Sequence, residues 1–343
     1  MILFDFEYGR PDTLREAVSL LSQNGDGAQV IAGGTDLLPN MRIEIELPSL
    51  LISLGAIEPA APERLADGSI RIDALSRLAD LERDQMLCRE IPMFTDSARA
   101  VGGNQVREMG TLGGNLCQQN RCLHLNQKHD YQFVAPCYKR GGDCCYPFPN
   151  NAANVCWAVH MSDIAPALIA MGAEIEILAA DGTRRIPLEA LYTNDGMAPL
   201  ALGHAELISA VIVPPREARS GWGYRKSTVR GGLEFAMSVM AAVLRLDGDG
   251  GICTDARIVI GAVREGPVRA VAAEKVLIGA VLDADTLAQA ARDASREVHP
   301  FPHDGYSVNY MIDNMRVYLG RVLAAAAERA QAARDGLRLC KQR

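Results

Sequence analysis

Six of the nine cysteines, Cys117, Cys122, Cys137, Cys144, Cys145 and Cys156, fall within a span of 40 residues. Iron–sulfur clusters need thiolates, commonly four of them, and zinc takes the same ligands. The spacing contains no C-x-x-C, the arrangement favoured by zinc ribbons and by ferredoxins. On spacing alone three readings stand: an iron–sulfur cluster, a zinc site, or unliganded thiols. His124, His129 and Asp130 lie nearby and read as surface residues rather than ligands. Cys88, Cys253 and Cys340 are scattered.

Two glycine turns carry the second kind of chemistry. Ala32-Gly33-Gly34-Thr35-Asp36 follows a short β-like run, and Gly110-Thr111-Leu112-Gly113-Gly114-Asn115 repeats the chemical type about 80 residues later. Glycine lets the backbone approach a ligand closely, and successive free N–H groups can cradle a pyrophosphate. The competing reading of one such turn is a tight strand-to-helix corner with no ligand; two together point to a clamp on a dinucleotide. Neither is the G-x-G-x-x-G of a Rossmann site. A third stretch, Tyr224 to Glu234, spaces Lys226, Arg230 and Glu234 four apart. That pattern reads first as an ion-pair ladder on a helix, and second as cations facing a cofactor.

These residues need elements to hold them. Thr13 with Glu16 forms a capping-box pattern opening a helix over 12–23. Short strands are expected at 28–32, 50–54 and 69–74, helices over 75–87 and 92–103, and a strand over 173–178 turning at Asp181-Gly182. From Cys117 to about His160 periodicity is lost, and a loop that long inside a domain is usually functional. Helical pattern resumes at 164–171. Pro214-Pro215 and Ser220-Gly221 mark a boundary, after which strands over 237–246 and 256–263 precede an Ala-rich helix over 308–335. With 343 residues the chain should form two or three domains. Its net charge of −7 and lack of a basic run argue against nucleic acid or an anionic membrane as main partner. No signal peptide or membrane-spanning run is read, so the expected location is cytoplasmic and the cysteines are expected to be reduced.

In this order the motifs resemble the flavoprotein (medium) subunit of the xanthine dehydrogenase and carbon monoxide dehydrogenase family. The match runs nearly end to end: the helix from Pro11 to Leu21, the loop Ile31–Leu37, the loop Gly110–Asn115, the segment Ser162–Leu168, the strand Glu206–Pro214, Lys226 with Arg230, and Pro267–Ala270. The resemblance implies an α+β fold. An FAD-binding domain of the vanillyl-alcohol-oxidase/PCMH type would have two subdomains, 1–55 and 56–220. A smaller α+β C-terminal domain would follow over 221–343, and a Cys-rich insertion would occupy 117–160. It implies FAD held by Val30, Ile31, Ala32, Gly33, Gly34, Thr35, Asp36 and Leu37, by Val101, and by Thr111, Gly114 and Asn115. Asp163 would stand on the adenosine side and Lys226 on the flavin side. No catalytic residue is assigned.

The insertion is similar to that of the 4-hydroxybenzoyl-CoA reductase beta subunit, where four cysteines carry a [4Fe-4S] cluster. The matching positions are Cys122, Cys137, Cys145 and Cys156, with Cys144 the alternative third ligand. The implied role is an electron relay from a low-potential donor such as ferredoxin, through the cluster and FAD, to a [2Fe-2S] small subunit and a molybdenum-cofactor large subunit. The assembly would be a dimer of heterotrimers. Alternatives are the flavin subunit of a hydroxylase for another aromatic or N-heterocycle, and a zinc-stabilised assembly scaffold without flavin.

Overall fold

The computed structural model describes residues 3–127, 135–150, 155–248, 251–303 and 305–334. Among them the strands form three sheets. The first is parallel, with order β1-β3-β2, from β1 (Glu7–Gly9), β2 (Ala28–Ile31) and β3 (Leu50–Ser53). Helix α1 (Leu14–Asn24) makes the crossover from β1 to β2. The Thr13 hydroxyl accepts the Glu16 N–H at 3.2 Å, and the Glu16 carboxylate accepts the Asp12 N–H at 2.9 Å. This ties down donors that the first helical turn leaves open. Ala17, Val18 and Leu21 turn inward onto Ile52, Leu178 and Leu207.

The second sheet is antiparallel with order β4-β5-β8-β6-β7, from β4 (Glu63–Arg64), β5 (Ile70–Asp73), β6 (Glu174–Ala179), β7 (Gly182–Pro187) and β8 (Leu207–Val213). Every residue of β8 is buried, and all but Ser209 are apolar. Between β5 and β6 the chain makes short helices: α2 (Leu37–Arg42) precedes them, then α3 (Leu78–Leu81), α4 (Gln85–Glu90), α5 (Pro92–Arg99), α6 (Asn104–Met109), α7 (Leu112–Leu116) and α8 (Ala165–Ala170). The single helix expected over 75–87 is broken, because Asp84 starts a new one by accepting the Leu87 N–H at 2.9 Å. The helix expected over 92–103 stops at Arg99, ahead of Gly102, which takes φ +44°.

The third sheet, order β12-β11-β10-β9, is antiparallel. It comprises β9 (Ser220–Ser227), β10 (Ser238–Leu246), β11 (Cys253–Gly261) and β12 (Val268–Arg269), and packs against α9 (Val271–Leu277), α10 (Ala284–Glu297) and α11 (Val308–Arg334). β10 is buried on both faces. Met240, Ala242 and Leu244 face those helices, while Ala241 joins the core around α8. The expected ladder of Lys226, Arg230 and Glu234 on a helix does not form. Lys226 belongs to β9 and points inward, and only Arg230 pairs with Glu234, at 3.2 Å, in an irregular loop. Strand pairing with β10 overrides the four-residue spacing there. No helix among the described residues is long and apolar enough to cross a membrane.

Candidate functional site

β2 delivers the first glycine turn to the edge of a cavity of about 760 Å³. Gly34 takes φ +69°, and a Cβ on Gly33 would stand 1.9 Å from the Met109 carbonyl oxygen. The second turn therefore lies directly on the first, and only a residue without a side chain fits between them. The second turn is held from below: Leu112 N–H donates to Ser76 O at 3.0 Å and Gly113 N–H to Ala74 O at 2.8 Å. The Thr111 hydroxyl accepts the Gly114 N–H at 3.2 Å. Asn115 Oδ1 accepts the Ser162 hydroxyl at 2.6 Å, and Ser162 Oγ in turn accepts the N–H groups of Ile164 and Ala165 at the start of α8.

All the residues expected to contact FAD, in both turns and at Val101, Asp163 and Lys226, line this one cavity. Several buried polar atoms on its wall have no protein partner: Gln29 Oε1, Asn40 Oδ1, Arg121 Nε and Asp163 Oδ1. Buried polar groups are nearly always satisfied, so these atoms together with the glycine cradle fit a bound polar molecule. One assignment changes. Lys226 Nζ donates to Asp163 Oδ2 at 2.7 Å and to Ala100 O at 2.9 Å. The two residues are in direct contact, so they do not mark opposite ends of one ligand. Burial pushes the Asp163 carboxyl up to about 6, against the pull of Lys226.

Residues that the sequence did not single out also shape the cavity. Arg121 Nη2 donates to Asp36 Oδ1 at 2.6 Å, and its guanidinium lies 4.3 Å over the Phe235 ring. The Gln119 N–H donates to Asp36 Oδ2 at 2.8 Å. No local pattern announces them, because their partners are about 80 residues away.

The Cys-rich insertion begins and ends on this wall. Arg121 and Val159 exchange two backbone hydrogen bonds of 2.8 Å, forming its stem. Asn120 Nδ2 donates to Ala158 O at 3.0 Å and to Glu265 O at 2.9 Å, and His160 N–H donates to Arg264 O at 2.9 Å. Arg140 Nη2 reaches Ile43 O at 3.0 Å, pinning the insertion to the end of α2. Within it Cys122 lies in electrostatic range of Cys137 and Cys145, Cys145 in range of Cys137, and Cys156 in range of Cys122 and Cys137. Burial raises the thiols of Cys122 and Cys145, and that of Cys156 to about 11. Backbone N–H groups face the sulfurs: His124 and Leu125 at Cys122, Phe148 and Trp157 at Cys145, and Ala158 at Cys156. Cys117 is separate. It packs against the main core beside the cavity, where burial pushes it up to about 12. His124 is half-buried rather than a surface residue and stacks on Tyr146 at 4.8 Å. His129 and Asp130 lie outside the described residues. Among the described residues no three His, Cys, Asp or Glu converge closely enough to hold a single metal ion.

Comparison with known proteins bears on the whole chain. Residues 4–216 match the FAD binding domain in molybdopterin dehydrogenase, and residues 204–326 match the CO dehydrogenase flavoprotein C-terminal domain. The aldehyde oxidoreductase FAD-binding subunit PaoB of Escherichia coli is 35% identical, over 82% of this chain and 89% of that protein. The 6-hydroxypseudooxynicotine dehydrogenase complex subunit alpha of Paenarthrobacter nicotinovorans is 27% identical over 97% and 98%. The solved carbon monoxide dehydrogenase from Hydrogenophaga pseudoflava superposes with a TM-score of 0.77 at 25% identity, covering 96% of this chain and 99% of that one.

Proposed function

Because this chain belongs to the family of FAD-binding subunits of molybdenum hydroxylases, an oxidoreductase family, we propose that it relays electrons between FAD in the glycine-walled cavity and a [4Fe-4S] cluster in the insertion. FAD supplies the redox chemistry; the protein supplies position and electrostatics. The two glycine turns would carry the pyrophosphate, with Thr111, Gly114 and Asn115 on one side and residues 30–37 on the other. Lys226 and Asp163 would form a charged pair at one place on the cavity wall, and Arg121 would hold Asp36 in the first loop.

The observation that carries the cluster is the convergence of Cys122, Cys137, Cys145 and Cys156. Cys122 lies near Cys137 and Cys145, and Cys156 near Cys122 and Cys137, and backbone N–H groups face the sulfurs of Cys122, Cys145 and Cys156. A cluster binds each thiolate at a different iron corner, so it suits thiols spaced more widely than a single ion allows. Hydrogen bonds to sulfur are one lever on such a cluster's potential. Cys145 is the third ligand in this reading, the position matched by the resemblance, with Cys144 beside it as the alternative. A zinc-stabilised scaffold without flavin is disfavoured by the family assignment and by the lack, among the described residues, of a trio at single-ion distance.

The partners in this reading are a [2Fe-2S] small subunit and a molybdenum-cofactor large subunit, in a dimer of heterotrimers placed in the cytoplasm. The insertion's resemblance to 4-hydroxybenzoyl-CoA reductase supports a reductive complex fed by a low-potential donor such as ferredoxin. A second reading, an oxidative complex acting on an aldehyde or an N-heterocycle, is favoured by the 35% identity to an aldehyde oxidoreductase subunit. Purification of the intact complex without oxygen, with metal and flavin analysis of the separated subunits, tests the relay. About four irons per FAD in this chain are expected for a four-cysteine cluster. Zinc in place of iron would sink the cluster, and a colourless subunit would sink the flavin. Turnover with aldehydes and N-heterocycles, set against reduction of an aromatic thioester, separates the two directions.

A further inference from the structure

Lys139 links the thiol-bearing insertion to the wall of the flavin cavity. Lys139 is half-buried, two residues after Cys137. Its ammonium donates to Gln119 Oε1 at 2.9 Å and to Gly196 O at 2.7 Å. It lies in electrostatic range of Cys156 and Cys137, and of the carboxylates Glu46 and Asp195. Gly196 is itself packed against the cluster side: a Cβ there would stand 2.0 Å from the Cys156 carbonyl oxygen.

Gln119 is the hinge of this arrangement. Its Oε1 accepts from Lys139, its Nε2 donates to Glu46 Oε1 at 2.8 Å, and its backbone N–H donates to Asp36 Oδ2 at 2.8 Å. The amide therefore stands between the ammonium and the Glu46 carboxylate, so Lys139 has no direct ion pair with it. Asp36 belongs to the first glycine turn. One chain of hydrogen bonds thus runs from the wall of the cavity to a cation beside two of the four thiols.

We propose that Lys139, positioned by Gln119, sets the reduction potential of the four-cysteine site by stabilising its reduced state. The proposal rests on the cluster reading given above. One electron entering the site adds one negative charge and no proton, whether it comes from the bound flavin or from an external one-electron donor. A fixed ammonium near Cys137 and Cys156 favours that extra charge, the more so because those two thiols are buried and the ammonium is half-buried. Glu46 and Asp195 oppose it, so the sign of the effect at each residue is set by its charge.

The test is a potentiometric titration of the anaerobically purified complex, following the cluster by electron paramagnetic resonance, with iron and flavin counted in every sample. Lys139→Met should keep its iron and flavin and shift the reduction equilibrium at least tenfold toward the oxidised state, which is about 59 mV for a one-electron couple. Lys139→Arg, which keeps the charge, should stay near the parent. Glu46→Gln should shift the equilibrium the other way, toward the reduced state. An iron-replete Lys139→Met with the parental potential overturns the proposal, as do Lys139→Met and Glu46→Gln shifting in the same direction. If Lys139→Met loses its iron, Glu46→Gln decides alone: an unshifted potential there also overturns it. A parent complex with no iron in this subunit instead removes the cluster reading itself, and the iron count tells the two failures apart.

Discussion

At the scale of the residue, the buried pair of Lys226 and Asp163 is the sharpest feature of the cavity. The pair is 2.7 Å apart and mostly shielded from water. Removing one partner of such a pair leaves an uncompensated charge in a dry place, which typically costs about 3–5 kcal/mol. Lys226→Met is expected to lower the denaturant midpoint by a corresponding amount and to purify with less flavin. A double variant that also neutralises the acid, Lys226→Met with Asp163→Asn, should recover much of the stability. A single and a double variant of equal stability would show that the charge is not what matters. Lys226 was visible as a cation in the sequence, but its setting was not. Spacing of four suggested a helix, and only the pairing of β9 with β10 turns the side chain inward.

Elements are where the sequence was most readable. The strands beginning at Ala28, Leu50, Ile70, Glu174 and Ser238 lie within a few residues of where alternation and apolar runs placed them, and α1 carries the expected cap. The first glycine turn was legible because two glycines in a row after a strand have few structural uses, whereas the second pair, Gly113-Gly114, lies in the short helix α7. Lys139, Gln119 and Arg121 were not legible. Their roles depend on contacts across tens of residues, and their neighbours in the chain show no period. The interface of β9 with α11 also hides in the sequence. A Cβ on Gly223 would stand 2.1 Å from the Val322 carbonyl oxygen, and one on Gly221 2.0 Å from that of Ala326. The helix backbone lies directly on the strand. Gly223→Ala must push α11 away, and overpacking of this kind costs about 1–3 kcal/mol. Urea unfolding should show a lower midpoint at unchanged slope, with the cavity on the far side of the sheet still taking up FAD.

For the molecule as a whole, two buried groups tilt stability with pH in opposite senses. His160 is fully enclosed, and burial lowers it from 6.5 to about 3. Between those values the unfolded chain binds a proton that the folded chain refuses, so this group's contribution is lost as pH falls from 6.5 toward 3. Asp163 is raised from 3.8 to about 6, so the folded chain holds the extra proton and stability is lost as pH rises through that window. His160→Gln should therefore become more stable relative to the parent as pH drops from about 6.5 to about 4, measured as the difference in denaturant midpoints. A difference that stays flat across that range would show that the imidazole titrates normally.

The stem at Arg121 and Val159 carries a last consequence. The two residues face each other across a pair of backbone hydrogen bonds, so the insertion leaves and rejoins the fold at almost one point. Closing a loop costs free energy only slowly with its length. A tight turn in place of residues 122–158 would keep the chain path at the cavity wall, and the wall would lose the contacts that Ala158, Lys139 and Arg140 make with it. The thiol-bearing segment is in this sense a plug-in, joined to the flavin frame through a two-bond stem.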